Sequence, residues 1–269
     1  MPAQKDKKQK PKVNSVVKCL NILESFSTTK TELSLAQLSR LLNIPKSTLF
    51  GTIRTLESGG YLYKVNDTQN YRLGFKLMEL SYHARASLSV VQYAIPFMEE
   101  LHARTGEIIY LTTHINGRVF YLECIYPVKK AVTYSTNGKT LPMHCTGCGK
   151  AMLAYMSEDE VDAIIAKWGL PRITENTITN KTDLKKALAA YRELGYAIDN
   201  SEEGHNVRCI AMPIRCADGT VAGAISISGP PITMTDDKFH EYAKLLAGAC
   251  NFLTQYAHLF PAIQIQKTE

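Results

Sequence analysis

Between residues 16 and 26 the apolar side chains Val16, Val17, Leu20, Leu23 and Phe26 recur at helical spacing, and Ser15 stands where a cap is expected. A second stripe follows Ser34: Leu35, Leu38, Leu41 and Leu42. Asn43-Ile44-Pro45 interrupts it, because the residue before a proline avoids helical geometry. A third helix starts at once, burying Leu49, Ile53 and Leu56 and stopping at Gly59-Gly60. Residues 60–64 and 71–73 read as two strands around the polar turn of residues 65–70, a β-hairpin. Two short helices about a tight turn, followed by a hairpin, follow the plan of a winged helix-turn-helix.

Past the hairpin the spacing predicts another helix, from Gly74 to about Leu88, with Phe75, Leu77, Met78, Leu80 and Ala84 on its stripe. Such a stripe needs a partner, and a second copy of the chain is the expected one. Residues 90–103 predict a helix that Pro96 is expected to kink. The period then changes to strands at 108–114, 118–126 and 131–134, with Asn116-Gly117 as a hairpin turn. Helices are expected at about 149–156, 158–167 and 183–194, strands at 196–199, 207–214 and 221–228, and a last helix at 236–258. Antiparallel strands with interspersed helices indicate an α+β domain. The expected organisation is a tail over 1–12, a winged module over 13–75, a linker helix over 76–89 and an α+β domain over 90–261.

Charge sharpens this division. Residues 1–75 hold 12 Lys and Arg against 5 Asp and Glu, a net +7, whereas residues 76–269 hold 19 against 20, a net −1. A basic small module joined to a neutral large one points to a polyanion partner. Five of the twelve cations lie between Lys5 and Lys12, but removing that tail still leaves the module positive. On the third helix Lys46, Ser47, Thr48, Phe50, Gly51 and Arg54 stay off the buried stripe, hydroxyls and cations where a recognition helix meets base edges and phosphates. With Ser34 and Gln37 at the start of the second helix, they form the expected contact set for double-stranded operator DNA.

Composition adds limits. At 45% hydrophobic and 21% charged residues over 269 positions, wholesale disorder is excluded. No apolar run reaches the length of a membrane span, and nothing apolar follows the basic N-terminus as a secretory signal requires. Seven cysteines, an odd number, read as reduced thiols and a cytoplasmic location.

The run LSLAQLSRLLNIPKSTLFGTIRTLESGGYL, followed by YRLGFKLMEL, resembles the winged helix-turn-helix of the IclR family of bacterial transcription regulators. The segments LPMHCTGCGKAMLA, DNSEEGHNVRCIAMPI and GAISISGP resemble that family's effector-binding domain, which is GAF-like, so the resemblance spans roughly residues 13–260. It implies a dimer joined through the winged module and linker helix, pairing again into a tetramer.

Within the second domain, Cys145-Thr146-Gly147-Cys148 has the C-x-x-C spacing of metal or redox pairs. A zinc site needs a second pair, which is missing, and no βαβ context supports a thioredoxin-like site, so two packing thiols are the plainer expectation. Gly147-Cys148-Gly149-Lys150 lacks the glycine and hydroxyl of a phosphate loop. Glycines opening a helix do offer backbone donors to a small carboxylate. Alternation along 224–228 places Ser226 and Ser228 on one strand face and the isoleucines on the other. Opposite Gly147 and Cys148 we place Asp199, Cys209, Ser226 and Ser228; by the resemblance, Thr133, Leu141 and Val207 line the less polar side. Glu203 and Arg208 read as surface or ion-paired residues, and His205 as a surface or structural histidine. No acyl-transfer motif supports an enzyme, and no cofactor or metal is expected. The expectation is an effector-responsive regulator of a catabolic operon; the alternative from another class is a small-molecule or redox sensor whose first module binds protein.

Overall fold

The computed structural model describes residues 13–66, 68–127 and 137–261. The expected basic tail, the strand at 131–134 and Thr133 lie outside the described residues. The chain divides into two compact units that meet between Ser87 and Leu88.

In the first unit α1 (Asn14–Glu24) precedes α2 (Leu35–Leu42) and α3 (Lys46–Ser58). Leu38 of the second stripe and Leu49, Ile53 and Leu56 of the third make one core with Ile22, Leu33, Leu62 and Tyr71, whereas Val16 and Leu20 of the first stripe and Leu41 of the second are exposed: α1 buries Ile22, which its expected stripe left out. Ser15 is not a cap. It lies inside α1, which starts after Val13 and has no side-chain cap. α2 is capped reciprocally instead, the Gln37 backbone N–H donating to Ser34 Oγ and the Ser34 N–H donating to Gln37 Oε1. The turn to α3 is made by Asn43, whose φ of 52° is left-handed, and is tied by the Ser39 hydroxyl donating to the Ile44 carbonyl at 2.7 Å. The wing has three strands, not two. β1 (Leu33–Ser34) pairs with β3 (Asn70–Leu73), which pairs with β2 (Leu62–Lys64). α4 (Lys76–Ala86) follows and buries none of its residues within this unit.

The second unit is built on a six-stranded, wholly antiparallel sheet ordered β6-β5-β4-β9-β8-β7. Its strands are β4 (Ile108–Ile115), β5 (Arg118–Ile125), β6 (Thr140–Pro142), β7 (Ala197–Asn200), β8 (Arg208–Arg215) and β9 (Val221–Gly229). Against one face pack α5 (Ser89–Thr105) and α9 (Asp236–Thr254), over a core that includes Ile109, Ile225 and Ile227. α5 runs on through Pro96. The opposite face carries α6 (Gly147–Leu153), α7 (Glu158–Trp168) and α8 (Lys181–Leu194) over a second core. β6 was not expected; with three residues it carries too little alternation to read. The last helix stops at Thr254, and residues 257–259 form a separate 3-10 turn. Among the described residues no helix is long and apolar enough to cross a membrane.

Candidate functional site

Two places in the fold collect the predicted residues. On α3, Lys46, Ser47, Thr48, Phe50, Gly51 and Arg54 are all exposed, while Leu49, Ile53 and Leu56 hold the helix to its core. The Arg54 guanidinium stands 5.9 Å over the Phe50 ring, so an exposed aromatic and a cation share one side of the helix. Ser34 and Gln37 are placed differently: their side chains are committed to capping α2. On the wing, Arg72 is ion-paired with Glu32, which also accepts from the Asn70 amide at 3.2 Å, while Lys64 is exposed and has no such bridge among the described residues.

The second place is a cavity of about 290 Å³ on the face of the large sheet opposite α5 and α9. Strand register builds it. Asp199 pairs with Cys209, Cys209 with Ser228 and Ser228 with Ile108, one row across β7, β8, β9 and β4. The next row on the same face holds Ala211, Ser226 and Tyr110. Leu141 and Val207 line the cavity too, and α6 roofs it with Gly147 and Cys148. A Cβ at Gly149 would collide with the Met143 backbone, and one at Gly147 would stand 2.9 Å from Cys209 Sγ. Gly147 lets α6 settle on the sheet, and Gly149 lets it close against the Met143 backbone just before it. Of the donors expected at this helix end, the Gly149 N–H is already taken by Thr146 Oγ1 at 3.2 Å.

The polar groups differ in how far they are satisfied. Ser228 Oγ reaches the Arg208 carbonyl at 3.5 Å, a marginal bond, and the wholly buried Ser226 Oγ lacks a hydrogen-bond partner among the described residues. An orphaned buried hydroxyl costs about 1–3 kcal/mol, which a ligand can recover. Asp199 accepts the Glu202 N–H at 2.7 Å, yet burial pushes its carboxyl up to about 7, against the opposing pull of that bond and of Lys150. Behind it Lys150 and Glu202 form a buried ion pair, with Lys150 Nζ 5.4 Å from the Tyr191 ring.

Several residues went unread in the sequence. Tyr110, Tyr121, Lys139 and Asn206 line the cavity, and so does Glu203, which corrects its reading as a surface residue. Burial also raises the Glu203 carboxyl above its usual range, with Lys139 opposing. Arg208 is ion-paired with Asp236, and His205 with Glu175 at 3.3 Å. The C-x-x-C residues part company: Cys145 turns to the Pro142 carbonyl, its thiol pushed by burial to about 12, while Cys148 faces the cavity. Among the described residues no group of three or more His, Cys, Asp or Glu is placed to hold a metal.

Comparison with known proteins decides between the readings. Residues 15–66 match the IclR helix-turn-helix domain, and residues 82–253 match the bacterial transcriptional regulator IclR C-terminal domain. The chain belongs to the IclR family. It is a DNA-binding transcriptional regulator with a ligand-binding C-terminal domain, and not an enzyme. The HTH-type transcriptional regulator XynR of Escherichia coli is 36% identical over 222 residues, 81% of this chain and 86% of that protein. The regulator KdgR of Dickeya chrysanthemi is 33% identical over 239 residues, 89% of this chain and 78% of its own. Among solved structures, the Thermotoga maritima IclR superposes with a TM-score of 0.68 at 25% identity, covering 91% of this chain and 98% of that one. An IclR homolog from Microbacterium hydrocarbonoxydans, complexed with 4-hydroxybenzoate, shares the fold: TM-score 0.74 at 24% identity, covering 91% and 99%.

Proposed function

We propose that this regulator binds its operator through α3 and the wing, and that a small hydroxy- or keto-carboxylate in the second unit's cavity modulates that binding. Lys46, Ser47, Thr48, Phe50, Gly51 and Arg54 make the DNA contacts; Ser34 and Gln37 set the pitch of α2 beneath them. The effector is held by Ser226 and Ser228, by the backbone of Gly147 and Cys148, and by Asp199, with Leu141, Val207 and Cys209 as the walls. Thr133, in the same segment as Lys139, belongs to this set by family resemblance. The operon served is catabolic, and the protein works in the cytoplasm as a dimer.

The observation that carries this reading is Ser226 Oγ, a buried hydroxyl in the wall of the cavity without a hydrogen-bond partner among the described residues. Polar side chains aimed inward on a strand require a partner, and here a ligand supplies it. The cavity holds a molecule of roughly ten to fifteen non-hydrogen atoms, the scale of a small organic acid. That an IclR homolog of this fold is complexed with 4-hydroxybenzoate agrees with an acid of that size.

The test is calorimetry on the full chain with a panel of small hydroxy- and keto-carboxylates. Each neutral hydrogen bond contributes about 0.5–1.5 kcal/mol. The double change Ser226→Ala with Ser228→Ala is therefore expected to weaken the binding acid by roughly ten- to a hundredfold. A double variant that binds as tightly as the wild type removes the serines from the site.

A further inference from the structure

Cys148 and Cys209 come from different elements, α6 and β8, and both thiols are buried in the wall of one cavity. They meet because position 147 is a glycine: with Cys209 Sγ 2.9 Å from where a Cβ would stand, the first turn of α6 rests on that sulfur and brings Cys148 beside it. Both cysteines are free. The Cys209 neighbour holds the Cys148 thiol below its ordinary range against its burial. The Cys148 neighbour and burial push Cys209 well up. A sulfenic acid formed on one of these sulfurs has the other as its resolving thiol. The other buried cysteines are engaged elsewhere: Cys145 bonds the Pro142 carbonyl, Cys124 the Asn137 side chain and Cys250 the Met212 carbonyl.

We propose that Cys148 and Cys209 form a hydroperoxide-sensitive dithiol, whose disulfide ties α6 to β8 across the effector cavity. The Cys148 sulfur attacks one peroxide oxygen. The O–O bond breaks, the departing oxygen takes a proton and leaves as water or an alcohol, and Cys148 becomes a sulfenic acid. The Cys209 sulfur then attacks the Cys148 sulfur, the S–O bond breaks and the oxygen leaves as water. Two thiols give up two electrons and two protons, and one hydroperoxide is reduced. The regulator then senses oxidant at the same place where it reads its ligand. The dithiol stands on the sulfurs alone; only that coincidence rests on the cavity reading.

The reduced full-length protein is treated with a modest molar excess of hydrogen peroxide, alkylated, digested and mapped by mass spectrometry. The expected product is one disulfide joining the Cys148 and Cys209 peptides, reversed by dithiothreitol and lost in both Cys148→Ser and Cys209→Ser. Wild-type protein in which both thiols stay alkylatable overturns the proposal, as does a bridge from Cys145 to Cys148, or sulfinic acid at Cys148 without a bridge. The deciding readout is in wild-type protein, so the test holds even where a serine variant folds poorly. Failure of every carboxylate to bind sinks the effector reading without touching this one.

Discussion

We expect single residues to carry the DNA contact and the pH response. Arg54 is exposed on α3 with its guanidinium by Phe50, so it is available for a phosphate or a guanine edge. Replacing it by Ala is expected to weaken operator binding by about 1–3 kcal/mol with the melting temperature unchanged, measured by anisotropy at matched salt. Asp199 gives a second expectation. Its carboxyl sits at about 7 when folded against 3.8 ordinarily, so between those values the native state binds more protons than the unfolded chain. Its share of stability therefore falls as pH rises through that window and levels off above it. A carboxylate effector, ionised throughout, meets neutral Asp199 at pH 6 and charged Asp199 at pH 8. Its affinity is expected to drop by up to about tenfold between them, and Asp199→Asn, which keeps the acceptor for the Glu202 N–H, should flatten that slope. Period-two alternation made Ser226 and Ser228 legible in the sequence, since the faces of one strand follow from its own residues. Tyr110 and Tyr121 were not, because their place beside the serines depends on strand register, and register between β4, β5 and β9 is written in no single segment. Glu203 was misread because a charged residue in a loop looks solvated until the fold buries it.

Among the elements, the strongly periodic ones were legible and the short ones were not. α2 and α3 follow their leucine stripes closely, whereas β1 spans only Leu33–Ser34 and exists because β3 offers it a partner. The opening of α6 was read two residues late, since glycines count against a helix until their closeness to the sheet is known. α4 and Phe75 just before it carry an unanswered apolar surface: Phe75 is 77% exposed, Met78 68% and Tyr82 71%. A ridge of that kind marks an interface, and specific operators are read by paired half-sites. We expect two copies to meet along it. Burying one such side chain contributes about 1.5–3 kcal/mol. Met78→Glu with Tyr82→Glu is then expected to turn a dimer into a monomer in light scattering at micromolar concentration, and to weaken operator binding. A monomeric wild type with full operator affinity contradicts this.

At the scale of the whole molecule, two units with unlike charge and unlike sites share one chain. The first holds the basic, exposed helix; the second holds the enclosed cavity, whose wall combines orphaned and perturbed polar groups. The division was visible in the sequence as a net +7 beside a net −1, and the family resemblance extended it to both halves. How the two sites communicate is not written in local periodicity, because coupling belongs to the equilibrium between states of the assembled protein. That coupling is the core of the proposed function. Anisotropy on the protein's own upstream DNA, titrated with and without each acid of the carboxylate panel, measures it directly. At least one acid is expected to shift the midpoint by about fivefold or more, in line with ordinary coupling energies. The Ser226→Ala, Ser228→Ala protein is expected to keep the acid-free midpoint and lose the shift. DNA affinity indifferent to every acid, or a double variant that responds as the wild type does, would contradict the proposed coupling.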